Sequence, residues 1–246
     1  LRGVMYLVMY QVMYHNRFLP RLLLLLLSCT LSSSLEISRH SFIGGLATTT
    51  FSPLLNQPSS PLSSLLVSSN PTTKIKIELG NTASGNPLTL QGTLNRSWSP
   101  NGYDHFLNLV QSSYYTNTPI FRVVPNFIAQ FGLNPDPDVT RKYSTPIKDD
   151  PIGAGPGNDK YTLTFATAGP NTRTTQIFLN YNDNHFLDKQ GFTPFGSVEA
   201  FDVKEIYDGY GEGAPRGKGP DQNMLRVKGE AYMESYPKMT RILSIE

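Results

Sequence analysis

The sequence predicts a mainly β protein, a closed antiparallel barrel, and three observations carry that prediction. Short apolar segments with period-two alternation recur from Lys74 onward. Gly (20) and Pro (19) are plentiful, which favours short elements joined by turns over long helices. Only two stretches have helical character, and no βαβ rhythm is present, which argues against a parallel sheet.

The elements follow in order. Lys74–Leu79 alternates as a half-buried strand, Asn81 to Pro87 is turn chemistry, and Leu88–Leu94 completes a hairpin. Ser99-Pro100 starts a helix, with Ser as N-cap and Pro at the first helical position, and Phe106, Leu107 and Val110 form its apolar stripe. Residues 114–130 read as strands broken at Pro125-Asn126, and residues 134–159, dense in Pro, Asp and Gly, as a long loop. Strands follow at Tyr161–Ala168, Gln176–Tyr181 and Phe195–Val198, with Gly169-Pro170-Asn171 as a turn. Phe201–Tyr207 reads as a second short helix before the glycine-rich loop Gly209–Gly219. Leu225–Tyr232 and Met239–Ile245 close the chain as strands.

The chain has 246 residues, 39% hydrophobic and 16% charged, enough for one sizeable domain plus an extension. Its net charge of +2 is unevenly placed. Of 21 basic residues, Arg2, Arg17, Arg21 and Arg39 precede residue 71, with only Glu36 of the 19 acids, so the remainder holds 17 basic against 18 acidic residues. That balance predicts no nucleic-acid footprint on the folded part. The single cysteine, Cys29, lies in the same early region, which excludes thiolate chemistry, disulfides and cysteine-ligated metals from the rest.

Residues 1–73 read as a targeting leader and Ser/Thr/Pro-rich linker, removed or disordered in the mature protein. From Met13, basic Arg17 and Arg21 precede Leu22–Leu27 and a small-residue exit, a signal-peptide layout. The apolar run is too short for a permanent membrane span. Ser38-Arg39-His40-Ser41-Phe42-Ile43 is similar to a twin-arginine export signal with histidine in place of one arginine. The combination resembles plastid leaders, with the thylakoid lumen as one destination; the secretory route is the alternative, and there Asn95-Arg96-Ser97 would be a glycosylation sequon.

The chemistry-bearing residues concentrate in Ile120–Gly132 and Ala166–Phe178. At strand period Arg122 shares a face with Ile120 and Val124, while Phe121 and Val123 point the other way. A guanidinium among apolar neighbours either pairs with a carboxylate or lines a water-accessible cleft, and both readings stand here. Gln130 and Gln176 each offer a donor and an acceptor suited to a peptide backbone. Phe127, Phe178, Phe186 and Phe192 are core or pocket residues. Gly153-Ala154-Gly155-Pro156-Gly157 lacks the Lys-Ser/Thr of a phosphate loop, and Asn180–Asp188 lacks the central glycine of a calcium loop. His105 and His185 have neither metal-ligand spacing nor a nucleophile partner, so no metal and no cofactor are expected.

Taken together, Ile120 to Gln130 (IFRVVPNFIAQ) resembles the F-x-R-x-x-P-x-F-x-x-Q region of the cyclophilin-type peptidyl-prolyl cis-trans isomerases. Ala166–Thr172 followed by Gln176-Ile177-Phe178 is similar to that family's A-x-A-G-P-N-T…Q-F-F segment, and Leu187-Asp188 with Gly191–Gly196 to its L-D…F-G segment. The resemblance covers residues 74–246 and implies an eight-stranded barrel capped by two helices, acting as a monomeric isomerase on proline-containing polypeptides. By resemblance, Arg122 is the catalytic arginine. Phe127, Ile128, Phe178 and Leu187 would line the proline pocket, with Gln130, Ala168 and Gln176 on the substrate backbone and Phe186 and Phe192 at the rim. Phe186 stands where many members carry tryptophan, Thr167 where many carry asparagine, and Phe192 near a usual histidine. These departures imply weakened affinity for cyclosporin-like ligands, and they keep a proline-peptide binding or scaffolding module with little turnover as the alternative function.

Overall fold

In the computed structural model, residues 72–246 are described, so the expected leader over residues 1–73 lies almost wholly outside them, Cys29 included. Strands β1 (Thr72–Gly80) and β2 (Leu88–Asn95) form the first antiparallel hairpin. Its alternation places Ile75, Ile77, Leu79, Leu90 and Leu94 inward, all buried. Helix α1 (Pro100–Gln111) then leads into β3 (Thr118–Pro119), β4 (Arg122–Val124) and β5 (Ile128–Phe131). The remaining elements are α2 (Pro137–Lys142), β6 (Thr162–Phe165), β7 (Ile177–Asn180), β8 (Pro194–Val198), α3 (Gln222–Lys228), α4 (Glu230–Met233) and β9 (Arg241–Ile245).

One sheet holds all nine strands in the order β3-β9-β1-β2-β8-β6-β7-β5-β4, every pairing antiparallel. The two ends of that order, β3 and β4, are consecutive in the chain. Ile120 N donates to Thr240 O (2.8 Å) beside β9, and Phe121 N donates to Gln130 O (3.0 Å) beside β5. A single segment therefore changes partners between Ile120 and Phe121 and closes the sheet. Counted as one strand, it makes the predicted eight-stranded closed barrel. The interior is packed by Val123, Ala129, Phe131, Leu163, Ile177, Leu179 and Ile242 and leaves a void of only about 20 Å³, too small for a ligand.

The partner change also corrects the expected facing of Arg122. Ile120 and Val123 both join the interior core, while Val124 packs in a separate outer cluster. Alternation breaks where the strand switches neighbours, so Arg122 shares its outward face with Val124 and not with Ile120.

Other elements differ from expectation for identifiable reasons. Leu225–Tyr232 is helical (α3 and α4), not a strand. Asp221 caps α3, accepting from Asn223 N (2.7 Å) and Met224 N (3.0 Å), and Leu225 is buried against Phe121, Leu133, Met233 and Met239. Val227 is 72% exposed. Phe201–Tyr207 contains only a 3-10 turn at Val203–Glu205, and the long loop 134–159 contains α2, capped by Asp136 with Pro137 at its first position. The barrel thus carries α1 and three shorter helices. Among the described residues, no helix is long and apolar enough to cross a membrane.

Helix α1 starts at Pro100 as predicted, but Ser99 does not cap it. Asp150 does, from 50 residues downstream: its carboxylate accepts from Asn101 N (2.8 Å) and Gly102 N (2.9 Å), while Ser99 Oγ donates to it as well. The same carboxylate meets Arg173 Nη1 at 2.9 Å, and Arg173 Nε lies 3.2 Å from Asp149 Oδ1; Arg173 is 2% exposed. Burial alone would raise the Asp150 pKa, but the hydrogen bonds from Ser99, Asn101, Gly102 and Arg173 together hold it below its ordinary 3.8. A depressed carboxyl stabilises fully above its unfolded value and loses that contribution as pH falls through the folded one. Asp150→Asn should therefore cost about 3 kcal/mol near neutral pH. In urea titrations the gap between wild type and variant should narrow as pH falls below the ordinary carboxyl value of 3.8 and through the lower folded one.

Candidate functional site

The site is built on the outer face of β4, β5 and β7, and strand register assembles it. Arg122 pairs with Gln130 across β4–β5, and Gln130 with Phe178 across β5–β7. Interior residues alternate with these, Val123 opposite Ala129 and Ala129 opposite Leu179, so burying the core forces the intervening side chains onto one outer surface. The β4–β5 connection turns at Pro125-Asn126, with Asn126 at φ 59° and Phe127 N donating to Val124 O (3.0 Å). That turn sets Phe127 beside Ile128. Phe127, Ile128, Phe178, Leu187 and Phe192 pack as a cluster apart from the barrel core, with Phe178 and Phe192 edge to face at 5.7 Å.

These residues floor a cavity of about 140 Å³. Of the residues expected from sequence, Arg122, Phe127, Ile128, Gln130, Ala168, Gln176, Phe178, Leu187 and Phe192 all line it. Phe186 does not. It is half-buried behind the cavity, its ring stacked on Phe127 at 5.9 Å, because the 3-10 turn His185–Gln190 directs Leu187 inward instead. Neither histidine lines the cavity: His105 Nε2 bonds Thr174 O (2.7 Å), and burial draws its pKa below 6.5. Asp183 and His185, with Asp159 from an earlier loop, bring possible ligand atoms within 4.8 Å of one another on the surface.

Polar groups line the other wall as a chain. Arg122 Nε and Nη2 donate to the two Glu212 oxygens at 2.7 and 2.8 Å, a bidentate fork, and Nη1 donates to Gln130 Oε1 at 3.0 Å. Gln130 Nε2 in turn donates to Gln176 Oε1 at 2.8 Å. Of the five guanidinium N–H groups, two remain uncommitted at the cavity, whose Phe127 ring lies 5.7 Å from the guanidinium carbon. Both readings of Arg122 left open by the sequence hold at once: it is paired with a carboxylate and it lines a cleft.

Glu212 escaped the sequence reading, since it lies 90 residues from Arg122 in the glycine-rich loop. Backbone bonds order that loop: Gly219 N donates to Glu212 O (2.9 Å) and Val123 N to Gly211 O (3.3 Å). A Cβ on Gly217 would fall 2.1 Å from Glu212 O, so glycine is required there. At the end of β5, a Cβ on Gly132 would fall 2.3 Å from Thr175 O, and the close approach it permits keeps Gln176 against Gln130.

A buried asparagine network, also missed, ties the cavity floor to the barrel. Asn158 Nδ2 donates to Phe192 O (2.9 Å) and Asp188 Oδ1 (2.7 Å), while its Oδ1 accepts from Thr164 Oγ1 (2.9 Å). Asn184 Nδ2 donates to Phe127 O (3.0 Å) and Asn180 Oδ1 (2.7 Å). The oxygen-rich 180–188 segment therefore spends several of its acceptors within the protein. Asn158→Ala leaves several of these buried groups unpaired and should lower stability by about 2–3 kcal/mol in chemical denaturation.

A model of the family described as cyclophilin type peptidyl-prolyl cis-trans isomerase/CLD matches residues 77–216, more than half of the chain. The chain is 35% identical over 134 residues to peptidyl-prolyl cis-trans isomerase cyp18 of Streptomyces antibioticus, covering 50% of this chain and 80% of that protein. It is 30% identical over 146 residues to a peptidyl-prolyl cis-trans isomerase of Acinetobacter baylyi, covering 56% of this chain and 73% of that one. Among solved structures, a Cryptosporidium parvum cyclophilin determined in the presence of the dipeptide Ala-Pro gives a TM-score of 0.47 at 22% identity, covering 70% of this chain and 97% of that chain. The family match and these relatives place the chain among the cyclophilin-type peptidyl-prolyl cis-trans isomerases.

Proposed function

We propose that this protein accelerates rotation about Xaa-Pro peptide bonds of polypeptides during their folding, with Arg122 as the catalytic residue. The observation that carries the reading is the Arg122 guanidinium, locked by Glu212 and Gln130, with two N–H groups left at a cavity of about 140 Å³ that has an apolar floor and a polar wall.

Rotation must break amide resonance, a barrier of roughly 18–20 kcal/mol, and takes about 10–100 s unaided. No covalent bond forms with the protein and no proton departs, so neither nucleophile nor base is required. In the twisted state the prolyl nitrogen loses conjugation and its lone pair becomes a hydrogen-bond acceptor, which the planar amide is not. A donor held at that nitrogen binds the transition state more strongly than the ground state. In this reading the proline ring rests on Phe127, Phe178, Leu187 and Phe192. Gln130, Gln176 and the Ala168 backbone hold the flanking peptide, and a free N–H of Arg122 meets the prolyl nitrogen. Glu212 is a positioning residue: its fork orients the guanidinium before substrate arrives.

The test is the exchange rate between cis and trans isomers of a proline peptide, followed by NMR with the full chain and with Arg122→Ala. The wild type should accelerate exchange, and the variant should lose about 100-fold or more. A folded wild type that binds the peptide without accelerating exchange would replace this reading with the proline-peptide binding module.

A further inference from the structure

The proline cavity continues into a second one of about 250 Å³, and the two share Thr174, Gln176 and Arg226 in their linings. The second is bounded by α2, through Thr140 and Arg141, and by Ser144 and Thr175. Hydroxyl and guanidinium groups converge there.

The charges are unbalanced. Arg122, Arg141 and Arg226 line the two cavities, and no carboxylate lines either. Arg122 is matched by Glu212 at 2.7 Å and Arg141 by Asp138 at 2.7 Å. Among the described residues no carboxylate stands within ion-pair distance of Arg226, whose guanidinium contact is Nη1 donating to Asn223 Oδ1 at 3.3 Å. Desolvation draws its pKa down, Tyr114 and Asp221 countering in part, yet a guanidinium stays charged at any physiological pH.

Its placement follows from α3 being a helix. Leu225 is fully buried in the small core beneath, while Gln222 and Arg226, one turn apart, both reach the proline cavity. Arg226 is solvent-exposed at the edge shared by the two cavities, and a cation there without an anion of its own can take a carboxylate brought by a ligand, at the modest strength of a surface ion pair.

We infer that Arg226 selects substrates carrying an aspartate or glutamate within two residues of the proline, its carboxylate seated in the second cavity. This inference rests on the isomerase reading and names the substrate class for the same site. The probe is a set of proline peptides with Glu, Gln or Lys at each position within two residues of the proline. Each is measured for isomerisation (kcat/KM) and for binding by calorimetry, at low and high salt.

At one of these positions the wild type should prefer Glu over its neutral amide by about fivefold, less at high salt. The ratio should fall to about one in Arg226→Gln and invert towards Lys in Arg226→Glu, with far-UV circular dichroism confirming that both variants fold. Equal handling of Glu and Gln by the wild type, or a preference unchanged in both variants, overturns the inference. If no peptide is accelerated at all, the isomerase reading fails by itself. The calorimetric Glu-to-Gln ratio then still decides the role of Arg226.

Discussion

A closed sheet has no free edge, and here closure rests on one short segment. Thr118–Val124 leaves β9 and joins β5 within two residues, with Ile120 N bonded to Thr240 O and Phe121 N to Gln130 O. The change of partner interrupts side-chain alternation, so Ile120 and Val123 both fill the interior and Arg122 emerges outside. Register then carries Arg122 opposite Gln130 and Gln130 opposite Phe178. The position of the guanidinium is thus a consequence of how the barrel closes.

Holding a guanidinium largely buried beside an apolar cavity floor is unfavourable unless its charge and donors are met. Glu212 meets the charge with a fork from a loop distant in sequence, and Gln130 takes a further donor. Arg122 has an 11% exposed side chain and Glu212 a 23% exposed one, so the pair is only partly screened by solvent. Around it the Asn158 and Asn184 networks hold the backbone of Phe192 and Phe127, and the Asp150–Arg173 pair ties α1 to the chain that follows Ala168. Cavity shape and donor direction are therefore set by separate sets of bonds.

Much of this was legible in the sequence. Alternation marked β1 and β2, and the cavity residues were implied by the resemblance of Ile120–Gln130 and Ala166–Phe178 to cyclophilin segments; Arg122, Gln130 and Phe178 sit on adjacent strands in register, with Phe127 and Gln176 just outside strand ends. What was not legible depends on contacts between distant segments. Glu212 lies in a glycine-rich loop with no local pattern, and Asp150 caps a helix from 50 residues downstream. Residues 225–232 were expected as a strand, but Asp221 caps a helix there and Val227 faces solvent. Phe186 was expected at the rim, whereas the 3-10 turn sends Leu187 into the cavity as expected and leaves Phe186 stacked on Phe127 outside the lining. Of these, only the Asp221 cap had a local signal that could have been read beforehand.

In the proposed arrangement Glu212 acts through Arg122. A double-mutant cycle on isomerisation tests it most directly, comparing wild type, Glu212→Gln, Arg122→Ala and the double variant on one proline peptide. If the fork positions the guanidinium, Glu212→Gln slows the wild type but has no further effect once Arg122 is alanine, so the two losses are strongly non-additive. Losses that simply add would mean that Glu212 contributes independently of Arg122, and the proposed arrangement of the site would be wrong.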